Sequence, residues 1–115
     1  MSELTPHTPE TSPLQIANIL RGIANPMRWH ILYLLTTGES RAQSDLAPII
    51  GCTPSGAGNH LAVLRESGVV VKTYGGTYRI APQFLPTPGQ PIIELGHCLL
   101  RLSPPTSPDI SPRSP

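Results

Sequence analysis

The chain has 115 residues, 38% of them hydrophobic and 13% charged, with a formal net charge of +1. That length allows one domain with a modest core, and that charge excludes a strongly basic nucleic-acid sponge and an acidic tail protein alike. No apolar run approaches the roughly 20 residues that cross a bilayer.

Twelve of the fifteen prolines lie in the segments 1–13, 82–91 and 103–115. Between Leu14 and Ala81 six cations stand against three acids, a balance of +3, so this part is more basic than the whole chain. The ends, "MSELTPHTPETSP" and "SPPTSPDISPRSP", carry too few apolar side chains to offset ordering entropy. Residues 1–12 and 103–115 are therefore expected to be disordered tails around a domain at 13–102. The N-terminus lacks the basic, apolar and small-residue succession of a signal peptide. Two cysteines, Cys52 and Cys98, without framework spacing fit a reducing compartment, so a cytoplasmic protein is expected.

In chain order, Leu14, Ala17, Leu20 and Ala24, with Ile16, Ile19 and Ile23 beside them, predict a helix with a broad apolar stripe. Asn25-Pro26 opens a second helix, "PMRWHILYLL", which Gly38 stops. Trp29 and His30 are expected as packed helical residues. "SRAQSDLAPIIG" predicts a short third helix, with Ser40 and Gln43 at capping-box spacing and Gly51 as its left-handed stop. Pro48 is a defect there unless the helix starts late.

The stretch "GCTPSGAGNHLAVLRESGVV" decides the functional class. Thr53 is a good N-cap and Pro54 a good first helical residue, while Ala57, Leu61 and Leu64 follow at helical spacing until Gly68. Its "GAG" therefore sits inside a helix at about 54–67 that follows a turn, and no "GK[ST]" is present, so a phosphate-binding loop is excluded. Helix, Gly51-Cys52-Thr53, helix is a helix–turn–helix. "VVVKTY-GG-TYRI" predicts a hairpin with a Gly75-Gly76 tip that sets Lys72 opposite Arg79 and turns Val71 and Ile80 to the core. "PIIELGHCLLRL" predicts a last helix whose apolar residues, Ile92, Leu95, Leu99 and Leu102 among them, exceed one stripe and call for a second copy of the chain.

At this point the chain resembles the ArsR-type transcription regulators over roughly Ile16 to Ile80. "IANPMRWHILYLL" is similar to that family's second-helix signature, and "DLAPIIGCTPSGAGNHLAVLRESGVV" to its helix–turn–helix. The resemblance implies a mostly α (α+β) fold: a winged helix–turn–helix with a two-stranded wing and a C-terminal dimerisation helix. It implies that Thr53 caps the recognition helix, that Ser55, Gly56, Gly58 and Asn59 face the groove, and that His60 and Arg65 lie near the DNA backbone. The wing at 72–79, with Lys72, Tyr74, Gly75, Gly76 and Arg79, would add further contacts. Asn59 can give bidentate contacts to adenine. Gly56 and Gly58 depart from the family's polar residues, each costing the helix about 1 kcal/mol relative to Ala. Close approach to DNA would explain them; so would a helix drifting out of use or made for a protein surface.

The cysteine pair of arsenical sensors is missing from "GESRAQSDLA". Glu94, His97 and Cys98 share a face of the predicted last helix, but the family's terminal zinc set is not reproduced, so neither metal nor other cofactor is expected. No small-molecule ligand is expected. No nucleophile–base set or paired catalytic carboxylates occur, so an enzyme is not expected. The resulting expectation is a homodimeric DNA-binding regulator, a repressor; the alternative is a winged helix repurposed for protein–protein contacts.

Overall fold

Local cap chemistry sets three of the four helix starts. The computed structural model describes residues 12–96 and 98–103; the tails expected at 1–12 and 103–115 lie almost wholly outside these residues. Helix α1 (Pro13–Ile23) begins where Ser12 Oγ accepts the Gln15 N–H at 3.1 Å. Helix α2 (Pro26–Leu35) begins where Asn25 Oδ1 accepts the N–H groups of Met27 and Arg28. Helix α4 (Pro54–Ser67) begins where Thr53 Oγ1 accepts the Gly56 N–H at 3.0 Å. Each start joins an oxygen-bearing cap to a proline whose missing N–H costs nothing there, and each cap is worth about 1 kcal/mol.

Helix α3 (Gln43–Ile50) is the exception. The expected capping box of Ser40 and Gln43 does not form: Ala42 is the N-cap, and it makes no side-chain bond. Arg41 and Ala42 are drawn instead into a two-residue strand, β1 (Arg41–Ala42). The late start leaves Pro48 inside the helix. The Ser44 carbonyl thereby loses its helical donor, and because Ser44 and Pro48 are both exposed, water can replace it. Gly51 ends α3 and Gly68 ends α4, with φ of 82° and 94°, a conformation that favours glycine.

Ile19 and Ile23 of α1, Ile31, Leu32 and Leu35 of α2, Leu46 of α3 and Ala57, Leu61 and Leu64 of α4 form one buried cluster, with Trp29 packed against it. Strands β2 (Val70–Lys72) and β3 (Thr77–Ile80) close this core in a three-stranded antiparallel sheet of order β1-β3-β2. Their register corrects the sequence expectation. Val71 pairs with Arg79 and Lys72 with Tyr78, so the two cations are not opposite each other. The loop holds three residues, Tyr74, Gly75 and Gly76, because both glycines take positive φ, and Thr73 N–H donates to the Thr77 carbonyl at 2.8 Å behind them. A shift of one residue exchanges the faces: Val70, Tyr78 and Ile80 are buried, while Val71 is only half-buried.

The expected terminal helix is also corrected. "PIIELGHCLLRL" forms a hairpin, β4 (Ile92–Glu94) against β5 (Leu99–Arg101), in which Ile93 pairs with Leu100. Gly96, at φ 93°, and a 2.8 Å bond from Leu95 N–H to the Cys98 carbonyl turn the chain where a helix would have to continue. Two of the residues expected at a dimer interface, Leu95 and Leu102, lie in the chain's own core, together with Ile93 and Phe84. Ile92 is half-buried, and Leu99 is 54% exposed. The helices and sheet make a winged helix–turn–helix, without a terminal helix among the described residues.

Candidate nucleic-acid interface

Helix α4 turns Ala57, Leu61 and Leu64 inward, so at about 100° per residue its opposite side carries Ser55, Asn59, Ala62 and Glu66, all exposed. Two flanks separate these faces. One carries Gly58 and Arg65 toward the wing; the other carries Gly56, His60, Val63 and Ser67 toward α1 and α2. The four free N–H groups of the first turn, less the one Thr53 satisfies and the one Pro54 lacks, favour an anion at this end.

On the wing flank Arg65, Lys72, Thr73, Tyr74 and Arg79 line one open groove. Three of its five residues are cations from three separate elements, and none is acidic. The Lys72 ammonium stands 5.7 Å from the centre of the Tyr78 ring, its cross-strand neighbour, so the ring face steadies its charge. Arg79 Nε is buried without a hydrogen-bond partner. Tyr74 is fully exposed, with the Gly75-Gly76 tip beside it. Bonded hydroxyls of Thr73 and Thr77 hold the base of that tip.

The two glycines of α4 have a reason inside the chain. A Cβ on Gly58 would meet the Gln43 amide at 3.1 Å, where that side chain crosses to donate to the Pro54 carbonyl at 3.2 Å. A Cβ on Gly56 would meet the Thr53 cap oxygen at 3.2 Å and Cys52 at 3.6 Å. Gly56 thus points at the chain's own turn and Gly58 at the Gln43 side chain that opens α3, while Cys52 packs against the core as a half-buried side chain.

Two residues, one that sequence reasoning passed over and one placed only near DNA, act together on the other flank. Arg28 donates through Nε to the Gly22 carbonyl at the end of α1, and through Nη1 to His60 Nδ1 at 3.2 Å. Burial first, and the Arg28 charge second, hold the His60 pKa below the ordinary histidine value, so its ring accepts from Arg28 rather than competing as a cation. Arg28 lay in plain view in "NPMRWHI", but no local signal joins it to a histidine 32 positions later. For Gln43 the capping-box spacing pointed to the wrong partner.

The ligand set expected on one face of a terminal helix falls on the hairpin instead. Glu94 accepts the Gly96 N–H at 3.0 Å, Cys98 is exposed on the turn, and His97 lies outside the described residues. Among the described residues no three His, Cys, Asp or Glu side chains cluster as metal ligands. No helix among them is long and apolar enough to cross a membrane.

Residues 25–72 match the model of the bacterial regulatory protein arsR family. The HTH-type transcriptional regulator CmtR of Mycobacterium tuberculosis and of Mycobacterium bovis is 41% identical over 61 residues, 53% of this chain and 51% of the relative. The chain thus spans about half the length of the curated relatives it matches. Among solved structures, the homodimeric winged helix-turn-helix DNA-binding domain Mb0332 of Mycobacterium bovis, described as "a possible ArsR-family transcriptional regulator", superposes with a TM-score of 0.52. It is 30% identical, over 63% of this chain and 74% of that one. Rv0081 of Mycobacterium tuberculosis gives the same TM-score at 33% identity, over 63% of this chain and 78% of the other. With the fold, the helix–turn–helix and these likenesses agreeing, the chain belongs to the ArsR family of winged helix–turn–helix regulatory proteins.

Proposed function

We propose that the protein is a cytoplasmic, sequence-specific DNA-binding transcription regulator, a repressor, that works as a homodimer and has no catalytic role. One observation carries this: the exposed Ser55–Asn59 face of α4 lies beside a groove in which Arg65, Lys72 and Arg79 meet without an acid. A helix in the major groove reads base edges through its first turns, while cations beside it hold phosphates. A surface built for a protein partner would put apolar residues on that face. Here Ala62 is the apolar residue of that face, with Val63, 39% exposed, on the flank beside it.

The homodimer is supported by α1. Its inward residues are Ile19 and Ile23, yet Leu14, Ala17 and Leu20 make a second, exposed apolar stripe, Leu14 being 71% exposed. Two copies packed along this stripe would bury it and set two α4 helices about one DNA turn apart on an inverted repeat.

Titrations on a duplex obtained by in vitro selection, and on its scrambled counterpart, test the division of labour. Asn59→Ala is expected to lose about 1–3 kcal/mol on the selected duplex and little on the scrambled one. Lys72→Gln with Arg79→Gln is expected to weaken both duplexes alike and to reduce the salt slope by about two. If both variants bind as the unaltered protein does, this surface does not touch DNA, and a protein partner takes its place.

A further inference from the structure

We propose that the corner between α1 and α2, through Arg21 and Arg28, forms a second phosphate-binding surface that grips the DNA strand across the major groove from the wing. This rests on the DNA-binding function proposed above.

Position is the first reason. Asn18, Arg21, Gly22 and Arg28 line a cleft with Val63, Glu66 and Ser67 of α4. Gly22 faces α4 here: a Cβ added to it would stand in ordinary contact with Ser67 at 3.7 Å and Val63 at 3.8 Å. Val63 and Ser67 bracket Arg65 along the helix but point to the opposite flank. Cations therefore stand on both sides of α4 at one level of its axis.

DNA has a use for both. An α-helix with side chains is about 10–12 Å across, and the major groove is about 12 Å wide, so phosphates of both strands border an inserted helix. The wing groove can reach one of those strands. The α1–α2 corner faces the other.

Charge is the second reason. Arg21 Nη1 donates to Asn18 Oδ1 at 2.9 Å, and Arg28 is tethered by the Gly22 carbonyl and a His60 nitrogen. All three acceptors are uncharged, so each guanidinium keeps its full charge and spare N–H groups for a phosphate oxygen. Among the described residues the single ion pair joins Arg41 to Glu39 at 3.6 Å, and neither corner arginine has a carboxylate within that reach. Glu66 is the one acid of the cleft. It would stand near the incoming phosphate, which gives its removal a predictable sign.

The test uses the full chain on the selected and scrambled duplexes at several salt concentrations, with Lys72→Gln as the reference for the wing. Arg21 is exposed and bonded only to Asn18, so Arg21→Gln leaves the fold intact. Because Arg21 stands one turn after Ala17 on α1, sedimentation equilibrium first checks that the variant associates as the unaltered protein does. A loss of binding that tracks a loss of dimer overturns the direct contact. Arg21→Gln is expected to weaken both duplexes by a similar factor and to reduce the salt slope by about one, and Arg21→Lys to restore the slope. Glu66→Gln is expected to tighten both. If Lys72→Gln weakens binding while Arg21→Gln and Glu66→Gln leave it unchanged, the corner does not meet DNA and the wing surface stands alone. If Lys72→Gln also changes nothing, the DNA-binding function fails with it.

Discussion

The molecule carries two antiparallel hairpins of similar size that present opposite chemistries. The wing hairpin is joined by β1 into a three-stranded sheet, buries Val70, Tyr78 and Ile80, exposes Lys72 at the tip end of that same face and Tyr74 on the loop, and holds Arg79 half-buried on the other face. The terminal hairpin is a sheet of its own, packs Ile93 against the turn that holds Phe84, and leaves Leu99 as its exposed large apolar residue. Each strand pair pins one face to the core, so only the outward set is free to vary in purpose. Cations and a ring suit a polyanion, and a lone leucine suits another apolar surface. A hairpin in this fold is thus a bracket, and its function is written in the residues that do not pack.

Breaking the inner face should have the largest effect. Ile93 is 0% exposed, and Ile93→Ala is expected to cost about 2–5 kcal/mol in a denaturant titration. A cost below about 1 kcal/mol would mean that the terminal hairpin is not part of the cooperative core. Changes on outer faces should spare stability and alter association instead. Leu20→Glu on α1 is expected to weaken the homodimer at least about a hundredfold, because a charge would be buried without a partner. Leu99→Glu should have a smaller effect, about tenfold, since the hairpin offers one apolar side chain where α1 offers a stripe. Sedimentation equilibrium decides both; a wild-type protein already monomeric at micromolar concentration would remove the basis for either.

The smallest effect should come from pH, and it should involve neither hairpin. A histidine whose folded pKa is lowered binds fewer protons folded than unfolded, so stability rises with pH between the two values. His60's contribution is therefore complete above the ordinary histidine value and is lost as pH falls toward the lowered one. Thermal melts at about pH 7.5 and about pH 5.5 should show a smaller difference for His60→Gln than for the wild type. Equal differences would mean that the Arg28–His60 contact is too exposed to matter.

Chemistry acting over a few residues was legible in the sequence. Thr53 before Pro54, Asn25 before Pro26, and Gly51 and Gly68 after apolar runs all set helix ends where local geometry demanded. Strand β1 was not legible, because two residues have no periodicity and Arg41 and Ala42 extend only through pairing with Tyr78 and Thr77. The wing register was missed because Gly75-Gly76 serves a two-residue or a three-residue loop equally well. The terminal segment was misread because its two short apolar runs satisfy both periods, and Gly96 between them was passed over as a breaker. The same limit applies to the candidate surface: the exposure of Asn59 follows from its helix position, whereas the contacts of Arg28 and Gln43 with α4, and the cleft that Arg21 shares with it, come only from tertiary packing.

Strand β1 has a mechanical consequence. Its two residues pair with the wing strand on one side and run directly into Gln43, whose amide holds the Pro54 carbonyl at the start of α4. Three consecutive residues therefore gear the wing to the reading helix, with no loop between them to absorb a displacement. On the proposed DNA complex, tilting the hairpin toward a phosphate strand would pull on the first turn of α4, and seating α4 more deeply would draw the hairpin with it. If both parts meet one duplex as proposed, indirect readout would follow from such a linkage: a duplex whose groove width does not suit both at once would have to deform, and sequences differ in how much that costs.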